Sequence, residues 1–292
     1  MTEAPGVDDE TLYDGKVAAE AVDTLHKLKE AGEPFFLAVG FIKPHTPFVA
    51  PKKYWDLYQP AEIELAARVT LPDGAPAFAG HGSGEIRRYT DQPNRGEIPE
   101  SNRRRMKHGY FACISYVDAQ IGKLLTALRA EGLEESTIVV LLSDHGYHLG
   151  EHGLWGKTTN FELDTRVPLI VRVPDMKSPG EPTRSLAELV DLYPTLSELA
   201  GLPIPQHVQG TSLAPIVASP AASPDDIAIS QFPRGGNADT GGKTMGYSLR
   251  TDRWRFTEWI NRESAATVAC ELYDHADDNA AEVESLAGST QH

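Results

Sequence analysis

The chain has 292 residues, 40% hydrophobic and 24% charged, enough for one large domain or a medium domain plus a small one. Its formal net charge of -15 argues against a nucleic acid or an anionic membrane as partner, since both are polyanions. That charge leaves an anionic substrate open, because a small pocket can be locally positive on an acidic protein.

In chain order, Asp14–Ala31 carries Val17, Ala21, Leu25 and Leu28 near helical spacing, with Gly32 as a stop. Phe35–Gly40 (FFLAVG) is a short apolar run that predicts a buried strand. The proline-stiffened segment Lys43–Phe48 (KPHTPF) follows at its carboxyl end. Residues Tyr54–Glu100, rich in Pro, Gly and charge, predict a long irregular excursion with at most short helices. Arg103–Arg105 opens the next helix and reads as a solvated face. Tyr110–Glu131 is helical, with an apolar stripe of Ile114, Val117, Ile121, Leu124, Leu125 and Leu128, ended by Gly132. Ser136–Leu142 predicts a second buried strand that delivers Asp144 and His145. A strand at Val167–Val173 and a helix at Leu186–Ala200 come next. The alternation predicts an α/β domain with a largely parallel or mixed sheet flanked by helices, over residues 1–218.

Ser219–Pro224 reads as a linker. Ile227–Phe232, Met245–Thr251 and Trp254–Trp259 then predict a small α+β C-terminal lobe with an antiparallel sheet, residues 219–292. The acidic tail His275–His292 is expected to fray. Cys113 and Cys270 are far apart in sequence and read as free thiols, not as a disulfide framework or zinc cluster. No apolar run reaches membrane-spanning length. Met1–Glu10 is acidic and lacks signal-peptide features, which leaves two readings: a cytosolic protein, or a chain that begins inside a longer one.

Two segments carry chemistry. In Ser143–Lys157 (SDHGYHLGEHGLWGK), Asp144 and His145 stand together at a strand end, where ligands of α/β sheets bind. Asp144 offers hard oxygens for a divalent cation, and His145 can ligate a metal or hold an anion. His148 and His152 add polar groups to the same loop, and Lys157 adds a positive charge. The competing reading of the triplet alone is a capped turn with a surface histidine. In KPHTPF, Lys43 and His45 form a positive pair suited to a tetrahedral oxyanion. Alone, that segment would be a rigid surface turn. Together the residues point to ester cleavage at sulfur or phosphorus, with cations neutralising the oxyanion and a histidine protonating the leaving group.

Several long segments resemble sulfatases, those of the iduronate-2-sulfatase branch most of all. They are Phe35–Tyr58, Tyr110–Leu128, Ser136–Pro174, Glu188–Pro205, Ser230–Arg234 and Met245–Trp259, in the family's order. The resemblance implies an alkaline-phosphatase-like fold, incomplete here, with a large α/β domain followed by a smaller antiparallel lobe. It implies that Asp144 and His145 belong to a calcium (Ca2+) site, that Lys157 contacts the sulfate, and that His45 lies near the leaving oxygen. Lys43 would join the substrate-binding set. The implied substrate is a sulfated small molecule or glycan, and family members are usually exported, periplasmic, secreted or lysosomal.

One departure is large. The C/S-x-P-S-R motif that yields the family's formylglycine nucleophile is absent from these residues, and neither Cys113 nor Cys270 lies in such a context. The resemblance therefore implies a C-terminal portion whose N-terminal half would be a partner, negligible activity alone, and an unpaired sheet edge beside Phe35–Gly40. Two alternatives stay open: a metal-dependent phosphatase or phosphodiesterase of the same superfamily, and a non-catalytic oxyanion-binding pseudoenzyme.

Overall fold

A computed structural model describes residues 1–222, 227–237, 240–276 and 285–291. The chain divides into two units: residues 1–66 with 83–137, and residues 67–82 with 138–292.

The first unit is built on two helices. Helix α1 (Tyr13–Ala31) ends where Gly32 turns into the left-handed region at φ 69°. A single-turn α2 (Lys52–Trp55) precedes the long α3 (Glu100–Ala130). Helix α3 packs on α1 and buries Ala112, Cys113, Tyr116 and Gln120; of the expected stripe Leu128 is buried, Val117, Ile121 and Leu124 are half-buried, and Ile114 and Leu125 are exposed. Polar closure of the seam explains the offset. The Tyr116 hydroxyl donates to the Asp9 carbonyl at 2.9 Å and accepts from the Gly15 amide at 2.6 Å. Gln120 Nε2 donates to the Asp9 carboxylate at 3.2 Å. At the start of α1 the chain folds so tightly on the preceding turn that a Cβ on Gly15 would lie 2.1 Å from the Asp9 carbonyl oxygen. Buried backbone groups in so tight a turn need polar partners, so Tyr116 and Gln120 turn inward where Ile114 and Leu125 do not.

Strand β1 (Thr2–Glu3) pairs in parallel with β2 (Phe48–Val49). Phe35–Gly40, expected as a buried strand, is not one. Among the described residues no segment forms a ladder with it, and Phe36 is 83% exposed. An apolar run becomes a strand only when another backbone takes its hydrogen bonds.

In the second unit, β3 (Val139–Leu142) pairs with β6 (Leu169–Arg172) in the register Val139↔Arg172 to Leu142↔Leu169. The pairing is antiparallel, where simple alternation suggests parallel strands. The connection explains it: residues 143–168 hold a hairpin and one helical turn, with no crossover helix to return the chain in the same direction. That hairpin is β4 (His148–Leu149) with β5 (Trp155–Gly156), and the turn is α4 (Glu162–Thr165). Helix α5 (Leu192–Leu199) is shorter than expected, because a 3-10 turn closed by a reciprocal Glu188/Asp191 capping box precedes it. Helix α6 (Ala214–Ala218) follows.

Strands β7 (Ala228–Asn237), β8 (Gly242–Arg250), β9 (Trp254–Asn261), β10 (Thr267–Asp274) and β11 (Ser285–Gln291) form an antiparallel meander. The backbone of Ser285–Gln291 thus pairs as an edge strand instead of fraying, while residues 277–284 of the tail and 223–226 of the expected linker lie outside the described residues. One face of the meander buries Trp259, Ala269 and Tyr273 against Ala79, Leu154 and Phe161. Glu271 points into the same core and accepts from Trp259 Nε1 at 2.5 Å and from the Tyr273 hydroxyl. Burial pushes its carboxyl above the usual range, against the pull of those donors and Arg234. No helix among the described residues is long and apolar enough to cross a membrane.

Candidate active-site residues

In the first unit, the buried Asp14 of α1 sets the KPHTPF loop by accepting from the amides of Ile42 at 2.9 Å and Lys43 at 2.8 Å. Lys43 Nζ folds back onto its own loop and donates to the carbonyls of His45 at 2.6 Å and Pro47 at 2.8 Å. Burial lowers its pKa, opposed by Cys113 and Asp14. His45 Nδ1 is 2.7 Å from the Thr46 carbonyl, which can only accept, so Nδ1 carries a proton. Its Nε2 faces Glu85 at 3.3 Å, and the Thr46 hydroxyl donates to the same carboxylate at 3.1 Å. Glu85 lies in the irregular excursion and has no sequence signal that links it to His45.

In the second unit, β3 ends just before Ser143, and the backbone then leaves strand alternation. The Ser143 hydroxyl donates to the His145 carbonyl at 2.8 Å, and the His145 amide donates to Asp144 Oδ1 at 3.0 Å. His145 Nδ1 donates to the Gly146 carbonyl at 2.8 Å, which leaves Nε2 with the lone pair in the neutral ring. That nitrogen lies 3.7 Å from Asp144 Oδ2. A carboxylate oxygen and an imidazole nitrogen therefore face each other across a gap, and the Asp144 side chain is 84% exposed. The donor chemistry fits part of a divalent cation's shell. It does not complete one, since calcium takes six to eight oxygens and no group of three or more His, Cys, Asp or Glu side chains among the described residues could hold a metal.

Gly146 is required: a Cβ there would lie 1.8 Å from the Leu163 carbonyl oxygen, and its amide donates to the Asp164 carbonyl at 2.8 Å. Asp164 then ties this loop to the one carrying Lys157. Its Oδ1 accepts from His148 Nδ1 at 2.8 Å, and its Oδ2 accepts from the Thr159 amide at 2.7 Å and hydroxyl at 2.6 Å. All three residues are buried. Lys157 follows β5, flanked by two left-handed residues, Gly156 at φ 123° and Thr158 at φ 92°. His152, at φ 56°, packs on Phe161 with ring centroids 4.8 Å apart, and its amide donates to the Arg68 carbonyl. Burial and nearby His148 and Arg68 hold its ring down to about 4.

The structure thus places Asp144, His145 and Lys157 in loops bound together by Asp164, and Lys43 and His45 in the other unit. Asp164, His81 and Arg234 escape a reading by sequence motif. Asp164 looks like an ordinary acid in the first turn of a short helix, and only its position seven residues after Lys157 hints at a loop clamp. Cys113 is buried and its thiol is pushed up to about 12, mainly by desolvation, so it has no thiolate for nucleophilic chemistry near neutral pH.

Comparison with known proteins identifies the family of the chain. The sulfatase family model matches residues 3–202, and the model of the N-sulphoglucosamine sulphohydrolase C-terminal region matches residues 150–292. Human iduronate 2-sulfatase is 36% identical over 309 residues, covering 86% of this chain and 56% of its own length. Phosphonate monoester hydrolase from Silicibacter pomeroyi superposes with a TM-score of 0.74 at 26% identity, over 92% of this chain and 55% of that one. BT4656, solved in complex with its substrate D-glucosamine-2-N,6-O-disulfate, gives a TM-score of 0.73 at 20% identity, over 93% and 64%. The chain therefore spans a little more than half the length of these relatives. With a family model covering most of its residues, the chain belongs to the sulfatase family.

Proposed function

We propose that this chain supplies the second half of the metal site and the sulfate-contacting lysine of a sulfatase of the iduronate-2-sulfatase type, acting on a sulfate ester of a sugar. The observation that carries the reading is the Asp164 bridge, which fixes the Asp144–His145 loop and the Lys157 loop to one another through buried hydrogen bonds. A carboxylate beside an imidazole nitrogen, and a lysine braced by left-handed backbone, are the groups that such chemistry needs. A glycan substrate is supported by the human iduronate 2-sulfatase likeness and by the sulfated glucosamine bound to BT4656.

In this reading Asp144 and His145 would hold the cation, Asp144 offering the oxygen that a calcium ion prefers. When bound, that cation would hold the sulfate and neutralise charge on its oxygens. Lys157 donates to a non-bridging oxygen of the ester. His45 carries the proton for the leaving oxygen, with Glu85 beside its Nε2. Lys43 contributes positive charge to substrate binding, although its ammonium also braces the loop carbonyls. The attacking oxygen comes from a residue outside these 292, so the isolated chain is proposed to show negligible turnover. Secretion or a lysosomal or periplasmic address is proposed from the family alone.

A second reading, hydrolysis of a phosphonate or phosphate ester, has the Silicibacter phosphonate monoester hydrolase in its favour. Both are tested by joining this chain to a nucleophile-bearing sulfatase segment and offering a 2-O-sulfated uronic acid glycan and an aryl phosphonate ester in parallel. Sulfate release is expected to dominate, and Lys157→Ala should lower kcat about 10²-fold or more, as loss of a preorganised charge does. Faster cleavage of the phosphonate would favour the second reading. Unchanged kinetics in Lys157→Ala would remove Lys157 from both.

A further inference from the structure

Lys157 has no regular secondary structure to hold it. It sits between Gly156 and Thr158, both left-handed, and a threonine at φ 92° is a costly conformation that persists only when its surroundings impose it. What imposes it lies elsewhere in the second unit. Arg234, on β7, donates through Nη1 to the Thr158 carbonyl at 2.7 Å. The same guanidinium donates through Nε to the Phe78 carbonyl at 2.6 Å and through Nη2 to the Ala79 carbonyl at 2.7 Å. Its plane lies over the Phe232 and Trp259 rings, 5.0 Å and 5.5 Å from their centroids. Burial pushes its pKa down to about 10, opposed by Asp164 and Glu271, so the group stays charged at neutral pH.

The segment held at Phe78 and Ala79 runs directly into His81. His81 hydrogen-bonds the Lys157 backbone, and its Cε1 would lie 3.8 Å from a Cβ on Gly156. Arg234 therefore reaches Lys157 by two routes, one through Thr158 and one through residues 78–81. A fourth carbonyl, that of Pro233, lies on β7 itself at 3.3 Å, whereas those of Phe78, Ala79 and Thr158 lie outside any strand ladder. Only a guanidinium offers donors in enough fixed directions to serve all three at once.

We propose that Arg234 and His81 are positioning residues that hold the backbone of Lys157 in the conformation from which its ammonium meets a sulfate oxygen. The part of this statement that concerns sulfate rests on the function proposed above. The part that concerns the Lys157 backbone does not. It makes the C-terminal antiparallel sheet a working part of the oxyanion site, since β7 carries the clamp.

The test uses the full chain and four variants: Arg234→Gln, Arg234→Lys, His81→Phe, and Arg253→Gln as a control at the exposed Arg253–Asp274 pair of the same sheet. Amide hydrogen exchange is followed at residues 157–160 and along β8 to β10, and inorganic sulfate is titrated while the Lys157 resonances are observed. In Arg234→Gln, exchange at 157–160 should rise about tenfold or more while the strands stay protected, and the sulfate dissociation constant should rise by a similar factor. Arg234→Lys keeps the charge but lacks the fork, so it should also lose the clamp. Added guanidinium ion, below denaturing concentration, should partly restore Arg234→Gln and leave Arg253→Gln unchanged. His81→Phe should loosen 157–160 without disturbing β7.

Unchanged exchange at 157–160 in folded Arg234→Gln overturns the proposal. If Arg234→Gln fails to fold, His81→Phe decides, and wild-type exchange there overturns it equally. A wild-type chain whose Lys157 ignores sulfate would refute the sulfate reading, while the exchange arm still judges the clamp.

Discussion

Replacing Asp164 by alanine removes the one acceptor that serves His148 Nδ1, the Thr159 amide and the Thr159 hydroxyl, at 2.8, 2.7 and 2.6 Å. His148, Thr159 and Asp164 are 0%, 4% and 5% exposed, so water cannot step in without opening the loops. Each buried donor left unsatisfied costs about 1–3 kcal/mol. The Thr159 hydroxyl can rotate toward another acceptor, which leaves two fixed donors and a net loss of roughly 3–5 kcal/mol. Asp164→Asn keeps the volume and one carbonyl oxygen but turns an NH2 toward a donor, so it should lose roughly half as much. The assay is urea unfolding followed by tryptophan fluorescence, because Trp155 and Trp259 are buried in the same unit. A loss below about 1 kcal/mol in Asp164→Ala would mean that these hydrogen bonds are not what joins the two loops.

Other perturbations probe the second unit. Glu162 accepts from Arg250 Nε at 3.1 Å and from Arg255 Nη2, so Glu162→Gln leaves two guanidinium groups underpaired and should cost about 3–5 kcal/mol in the same unfolding assay. Burial alone would raise the Glu162 carboxyl, but Arg255 and then Arg250 hold it below its ordinary 4.5. Its contribution is therefore present in full above pH 4.5 and is lost as pH falls through the lower folded value, which an acid titration of the wild type and Glu162→Gln should show as a difference. His152 and His275 are both held down to about 4 by burial, against 6.5 in the unfolded chain. The unfolded state takes up those protons first, so stability should fall as pH drops from 6.5 to 4, on the order of 3 kcal/mol for each ring. His152→Asn, which suits the left-handed backbone, should remove its share of that slope in urea unfolding measured across this range.

Local signals of helix termination and β-branched strands were legible in the sequence, and pairings were not. Gly32 marked the end of α1 because only its freedom at positive φ suits that turn. The run Val139–Leu142 read as a strand from composition, but its antiparallel partner followed from how the chain between 143 and 168 returns, which no periodicity reports. Phe35–Gly40 looked like a strand by the same signal and has no ladder partner in the described residues, so composition alone cannot separate the two cases. The stripe of α3 failed differently. Hydrophobic spacing favoured Ile114 and Leu125, whereas the seam with α1 is closed by the hydroxyl and amide of Tyr116 and Gln120. Strand β10 was hidden because Glu271 interrupts the alternation on its buried face.

For the candidate site, the proposed residues can be read in the sequence and the groups that support them cannot. Asp144, His145 and Lys157 stand in one short glycine-punctuated segment, where residue type and spacing suggested them. Asp164, Arg234 and His81 act from afar through backbone carbonyls and amides, and a carbonyl has no letter in the sequence. The same holds for Lys43, whose ammonium is taken up by the carbonyls of His45 and Pro47.

If Asp144 and His145 form half of a divalent cation site, substoichiometric Mn2+ should find them, because paramagnetic broadening locates even a weakly held cation and Mn2+ shares the preference of calcium for oxygen. Amide resonances of Asp144, His145 and Gly146 should broaden first in the wild type and be spared in Asp144→Ala. Broadening centred on another acidic group, such as Asp8 to Glu10, with Asp144 unaffected, would mean that Asp144 and His145 hold no cation.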